Sequence, residues 1–280
     1  MTRQLKGLQE FLPLSIVKPY PKNDGGWRFP ATDEGYPGST IDHLFHSKLL
    51  SEVYFRSDSN YKGKYSVPVL WDKETNRIVN NESEDIMRML NHAFDGFLPV
   101  DDSRRELDFY PEKLREKINE VNSWMMPNLN NGVYKAGFAA TQEDYDKNCR
   151  IVFETLDRLE SMLTNSKSLY VMETREPTEI DIKLYTTLVR FDPIYQQHFK
   201  LMIRSIRHGY PHLNRWLKNF YWNLPGVSIS TNFKHIKENY SKSHVDINPK
   251  SITPLGPEPE VEPWTEDDQR WKEGALKKLK

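Results

Sequence analysis

Residues 66–90, SVPVLWDKETNRIVNNESEDIMRML, constrain the fold more than any other stretch of the chain. Val67-Pro68 leads into a short apolar run, residues 72–77 are a polar turn, and Ile78-Val79 is a second short strand. Asn80-Asn81-Glu82-Ser83 then opens a helix, because Ile86, Met89 and Leu90 recur at i, i+3 and i+4. Proline carries no N–H and an X-Pro bond can be cis, so a proline at a strand start ends regular pairing and leaves its predecessor's backbone available. Val67 is therefore placed to pair with an extended peptide, as an added strand does. The free N–H groups and positive dipole of a helix start favour a carboxylate beside Ser83, and Glu82 can take an ammonium. A zwitterionic γ-glutamyl group satisfies both. The plain alternatives are an edge-strand proline at Pro68 and a helix cap at Ser83.

With 280 residues the chain is long enough for one large or two moderate domains, each with its own core. Lysine and arginine number 39 against 40 aspartate and glutamate, so bulk charge favours neither nucleic acid nor an anionic membrane as a partner. The single cysteine, Cys149, rules out an intrachain disulfide framework and points to a reducing, cytoplasmic setting. No apolar run is long enough to cross a bilayer and the first residues show no signal-peptide core. Cys149 lies on an apolar helical stripe, where a buried, inert thiol is the expectation.

Leu5, Leu8 and Leu12 share helical spacing, predicting that the chain begins inside a helix over residues 1–12. Residues 14–17 read as a strand, 20–40 as a Gly- and Pro-rich loop around Gly25-Gly26-Trp27-Arg28-Phe29-Pro30, 44–54 as a helix and 56–64 as a polar loop. Trp27 is either a loop anchor set into the core or an adaptable aromatic lid. Residues 96–108 read as an acidic linker, after which helical spacing dominates. Leu114, Ile118, Val121 and Met125 form one stripe, and Cys149, Val152, Phe153, Leu156, Leu159 and Leu163 another. Thr178-Glu179-Ile180-Asp181 opens a helix in the manner of a capping box, and Pro211 opens one bearing Leu213, Trp216, Leu217 and Phe220. The organisation expected is residues 1–92, a linker at 93–110, an all-α domain over 111–240 and an irregular extension over 241–280. In that extension residues 258–280 need no fixed structure, although Trp264 and Trp271 can dock. No metal site or phosphate-binding loop is evident.

Taken in order, GGWRF, VPVLWD, NNES and NGVYKAGF resemble the glutathionyl-hydroquinone reductases, the xi class of the omega-like glutathione transferases, over nearly the whole chain. The resemblance implies an α+β two-domain glutathione transferase fold, with a thioredoxin-like N-terminal domain followed by an all-α C-terminal domain. It implies glutathione as cosubstrate, contacted by Trp27 as lid, by Lys64, Tyr65 and Ser66, by Val67 with a cis bond to Pro68, and by Glu82 and Ser83. Lys64 stands where relatives more often carry arginine. Tyr134 is implied as the proton donor or acceptor facing a quinone, with Tyr195 and Tyr240 in support; relatives often have two tyrosines where this chain has Tyr240-Ser241. Such enzymes use a thiolate that attacks the sulfur of a glutathionyl-hydroquinone, releases the hydroquinone, and leaves a mixed disulfide that a second glutathione resolves. Its Cys-Pro-Trp-Ala segment has no counterpart here, so the expectation is an incomplete thioredoxin-like domain lacking its first strand, with the nucleophile outside this sequence. A homodimer is also implied. An inactive glutathione-binding or regulatory protein, and an omega-type thiol transferase acting on other small oxidants, are the alternatives.

Overall fold

Local hydrogen bonds from polar side chains open several of the elements, Thr141 at residue 142, Thr178 and Asp181 at 179 and Asn232 at 233 among them. The computed structural model describes residues 1–20, 26–33, 35–166 and 168–278. Gly25, the first residue of the Gly-Gly-Trp motif, lies outside them. Strands β1 (Leu70–Asp72) and β2 (Arg77–Asn80) form an antiparallel hairpin, the one sheet among the described residues. Its register pairs Leu70 with Asn80, Trp71 with Ile78 and Asp72 with Arg77, with an irregularity between Leu70 and Trp71. Asp72 closes the turn by accepting from the Glu74 N–H at 2.8 Å and the Thr75 hydroxyl at 2.7 Å. Asn76, at φ 56°, takes the left-handed position that asparagine tolerates.

Four expectations about local structure change. Helix α1 covers only Thr2–Leu5, because the chain leaves it through Gly7 at φ 69°, the left-handed position that ends many helices. Leu8 and Leu12 still face inward, and the Arg3 guanidinium fixes the turn by donating to the Leu12 and Gln9 carbonyls. Residues 14–17 form no strand. They run extended beside Ser39 and Thr40, with the Thr40 N–H donating to the Ile16 carbonyl at 2.9 Å and the Ser39 hydroxyl to the Val17 carbonyl at 3.0 Å. The helix expected from residue 44 begins later, as α2 (Leu50–Ser57). Asp42 holds residues 42–47 in a turn, accepting from the Leu44 and Ser47 N–H groups, and His46 sits at φ 55°. The polar loop accordingly starts after Ser57.

Helix α3 (Ser83–His92) buries Ile86, Met87 and Leu90. Beyond residues 93–114 the chain is helical: α4 (Arg115–Met125), α5 (Gly132–Gly137), α6 (Gln142–Asn165), α7 (Glu179–Arg190), α8 (Gln196–His198), α9 (Ile206–Gly209), α10 (Pro211–Asn223) and α11 (Phe233–Ser243). Five-residue π-turns, Met126–Asn130 and Phe191–Tyr195, follow α4 and α7; each contains a proline, whose missing N–H loosens the regular ladder. The apolar stripes of α4, α6, α7 and α10 form one large core. Thr178 and Asp181 make the predicted capping box, and buried Asp181 also accepts from the Val171 N–H and the Trp216 indole.

The fourth change is at the far end, where residues 241–280 are not irregular throughout. Helix α11 runs on to Ser243, and α12 (Glu266–Lys278) folds back onto α10. Its buried Asp268 accepts from Thr265 and pairs with Lys218 and Arg215 of α10, while Val261 and Ala275 join the main core. The Pro, Glu and Lys composition conceals this, because the bonds that order the segment are made to residues some 50 positions earlier.

Candidate active site

The first half of the site is the cis Val67-Pro68 bond and the start of α3. Residues 64–68 are shaped by aromatic groups. Tyr54, buried on α2, donates to the Ser66 carbonyl at 2.8 Å, and Tyr61 donates to the Lys64 carbonyl at 3.1 Å. The Asn81 amide reaches back from the α3 approach to the Ser66 hydroxyl at 3.0 Å and the Tyr54 hydroxyl at 3.1 Å. Tyr54, Ser66 and Asn81 thus tie the Val-Pro segment to the helix start. Tyr65 packs against Tyr54, Phe55 and Tyr61, while Lys64, Val67 and Pro68 are exposed. Neither backbone polar group of Val67 has a partner among the described residues.

Glu82, not Ser83, is the N-cap residue of α3, and its own N–H is held by the Asn80 side chain at 2.6 Å. Among the described residues no side chain caps α3, so its first-turn N–H groups and the exposed Ser83 and Glu82 side chains face outward together. Reading Ser83 as a structural cap is therefore not what the geometry shows. Trp27 is half-buried, packed against the Phe29, Leu50, Val53 and Tyr54 cluster, with its carbonyl accepting from the Leu50 N–H at 2.9 Å.

The second half is a triangle of tyrosine hydroxyls. Tyr134 on α5, Tyr195 at the end of the second π-turn and Tyr240 on α11 stand 3.1 Å (Tyr134 to Tyr195), 2.6 Å (Tyr134 to Tyr240) and 2.8 Å (Tyr195 to Tyr240) apart. Tyr195 and Tyr240 are buried, 2% and 6% exposed, whereas Tyr134 is 37% exposed and is the member open to a ligand. Burial, and then the neighbouring phenols, push Tyr195 and Tyr240 well above the usual tyrosine range, with the Arg190 charge drawing the other way. Both therefore remain hydrogen-bond donors at any physiological pH. Phe199 stacks on Tyr195 and meets the edges of Tyr134 and Tyr240. A Cβ at position 137 would fall 2.0 Å from the Phe199 ring, which explains the glycine in the NGVYKAGF segment.

The two halves are joined through the loop that carries Trp27. His235 of α11 meets the Pro37 carbonyl at 2.7 Å, and Lys242 and Ser243 of the same helix donate to the Tyr20 hydroxyl and the Pro19 carbonyl. Arg88 of α3 also makes a two-pronged bond to Glu179 of α7, at 2.9 and 2.8 Å.

Residues 142–219 match the family model described as glutathione S-transferase, C-terminal domain. The chain is 49% identical over 262 residues to glutathione S-transferase omega-like 2 of Schizosaccharomyces pombe, covering 94% of this chain and 82% of that protein. The chain belongs to the xi-class, omega-like glutathione transferases. The structure of glutathione transferase Xi from Phanerochaete chrysosporium matches this transferase with a TM-score of 0.87 at 45% identity, over 94% of this chain and 86% of that one. The glutathionyl-hydroquinone reductase YqjG of Escherichia coli is 44% identical over 91% of this chain and 74% of its own length. Its glutathione-bound structure matches with a TM-score of 0.85, over 94% of this chain and 81% of that one. The α+β two-domain glutathione transferase fold expected from the motifs is thereby established, and with it a glutathione-dependent function.

Cys149 of this transferase is 4% exposed in the main core, and burial pushes its thiol up, the opposite of what a nucleophilic cysteine requires. Tyr54 and Asn81 went unrecognised in the sequence. Asn81 lies inside the NNES motif and was within reach, whereas Tyr54 reads as one more apolar position of a helix. Arg190, His198 and His244 around the tyrosines carried no signal at all.

Proposed function

We propose that this protein is a glutathionyl-hydroquinone reductase, holding glutathione on the Val67 to Ser83 side and the aromatic acceptor at the tyrosine triangle. The observation that carries the reading is the triangle itself. Three hydroxyls supply three hydrogens for three O···O edges. When Tyr134 turns its hydrogen outward to an acceptor oxygen, Tyr195 and Tyr240 still donate inward, and bonds received by a hydroxyl strengthen the one it gives. That suits a phenolic oxygen gaining negative charge as the aromatic ring leaves sulfur.

Glutathione fits the other half. The exposed backbone of Val67 can pair with the cysteinyl part of an extended peptide, the first-turn N–H groups of α3 and Ser83 suit the γ-glutamyl carboxylate, and Glu82 suits its ammonium. Lys64 and Tyr65 line the same edge, and Trp27 covers it. The reaction is conversion of a glutathionyl-hydroquinone and glutathione into hydroquinone and glutathione disulfide. Its thiolate does not come from Cys149. A homodimer in the cytoplasm is the setting proposed by family membership; among the described residues no helix is long and apolar enough to cross a membrane.

Calorimetry with glutathione tests the first half, with single-site binding expected. Turnover of a glutathionyl-menadione by the protein carrying an upstream Cys-Pro-x-Ala segment tests the second; no turnover there would overturn the reading. The buried Cys149 favours one other reading, in which these residues bind glutathione without turning it over. Binding without turnover in the native gene product would select it.

A further inference from the structure

One helical turn beyond the Tyr195–Tyr240 hydrogen bond, the same two segments are joined again. His198 lies three residues after Tyr195 at the end of α8, and His244 four residues after Tyr240 at the end of α11. His198 Nε2 and His244 Nδ1 share a hydrogen bond at 3.0 Å. Spacings of three and four residues place side chains on one helical face, so the tyrosine pair and the histidine pair are successive rungs between the α8 segment and α11. Phe199 fills the space between the rungs, stacked on Tyr195 at 5.3 Å on one side and on His244 at 6.3 Å on the other. Both imidazoles also pack against the Tyr240 ring.

We infer that the His198–His244 pair is the positioning device for the tyrosine triangle, fixing α11 against the α8 segment so that Tyr240 and Tyr195 keep both hydroxyls on Tyr134. The inference rests on the reading of the triangle as the acceptor site. Helix α11 also packs on the Phe191–Tyr195 turn through the core residues Ile236 and Tyr240, a contact without direction; apart from the tyrosine bonds, its hydrogen bonds to other segments run mainly to the loop before residue 40 and to residues beyond 250, through His235, Lys237, Ser241, Lys242 and Ser243. His198 is 2% exposed and is held neutral, with burial first and then His244 and Lys200 depressing its pKa to about 4. The neutral His198 imidazole offers one donor and one acceptor, so it joins His244 without burying a charge of its own. Neither histidine is placed to touch the reacting atoms, and both act through Tyr240.

The test compares His198→Phe, which keeps the ring but not the bond, with His198→Gln, whose amide reaches the same position. The first readout needs no ligand: the hydrogen-bonded hydroxyl protons of the triangle, observed by NMR in the full chain. His198→Phe should accelerate their exchange with water about tenfold, as expected for a lost hydrogen bond, with His198→Gln restoring it. The second is affinity for a glutathionyl-hydroquinone conjugate against glutathione itself. His198→Phe should weaken the conjugate about tenfold, leave glutathione unchanged, and be rescued by His198→Gln. Should His198→Phe fail to fold, the half-exposed His244→Phe takes its place in both measurements. Unaltered hydroxyl exchange, or failure of glutamine to rescue it, overturns the positioning role. Failure of the wild-type chain to bind the conjugate, with the exchange result intact, overturns instead the acceptor-site reading.

Discussion

Replacing Arg88 by methionine should cost far more than a surface charge, and replacing its partner as well should return most of that loss. Arg88, Lys183, Glu84 and Glu179 form a neutral group of two cations and two anions between α3 and α7, with Lys183 also donating to Asn122 at 3.0 Å. Glu179 is 1% exposed, so its carboxylate has given up hydration and depends on Arg88 and on Lys183 at 3.2 Å. Arg88→Met leaves two carboxylates sharing one ammonium. Breaking a buried pair costs about 3–5 kcal/mol, but Arg88 and Glu84 are each about one-third exposed, which reduces the expectation to about 2–4 kcal/mol. In a chain of this size that lowers Tm by roughly 4–16 °C. The double variant Arg88→Met, Glu179→Met removes one charge of each sign, leaves Lys183 paired with Glu84, and should lie within about 1 kcal/mol of wild type. Differential scanning calorimetry on the four members of the cycle decides the matter. A loss under about 1 kcal/mol for Arg88→Met, or a double variant as unstable as the two singles combined, would refute the reasoning.

Three further outcomes are expected. Tyr134→Phe removes the one triangle hydroxyl open to a ligand and should lower turnover of a glutathionyl-hydroquinone about 100-fold in the thiolate-bearing protein, while glutathione affinity measured by calorimetry stays constant. Asn81→Ala frees Ser66 from α3 and should weaken glutathione about tenfold with no effect on a free hydroquinone; equal loss for both would count against the clamp. His198 has its pKa lowered on folding from its ordinary value to about 4, so the unfolded chain binds the extra proton in that interval. Stability should therefore fall as pH drops from about 6.5 towards 4, and chemical denaturation of His198→Gln across that window should show a flatter slope.

The clamp was readable because its cause is local. The proline at 68, the Asp72 turn and the step from Asn80 to Ser83 are set by residues within a few positions, as are the capping box at Thr178 and Asp181 and the proline start of α10, although the bracing of Ser66 by Tyr54 and Asn81 is not. The stripes of α4, α6 and α10 were readable for a related reason, since a helix must aim its apolar face at something and periodicity names that face. Where a remote partner decides, sequence reasoning failed. Residues 14–17 look like a strand but bond to Ser39 and Thr40, and the α12 segment looks unstructured until Asp268 meets Lys218 and Arg215. The late start of α2 is a different case, with a local cause: Asp42 holds a turn over residues 42–47 that the helically spaced Leu44, Phe45, Leu49 and Leu50 mask.

By itself the sequence determined the family, the hairpin and helix that make the glutathione side, and the three tyrosines as candidates. Only the tertiary structure showed that Tyr134, Tyr195 and Tyr240 share one triangle of hydroxyls, that Tyr54 and Asn81 brace Ser66, and that the two histidines form a second rung beside the tyrosines. The physical reason is reach. A hydrogen bond between residues 134 and 240 acts over 106 positions of chain and leaves no periodic trace in either segment, because what sets it is the angle at which two helices pack.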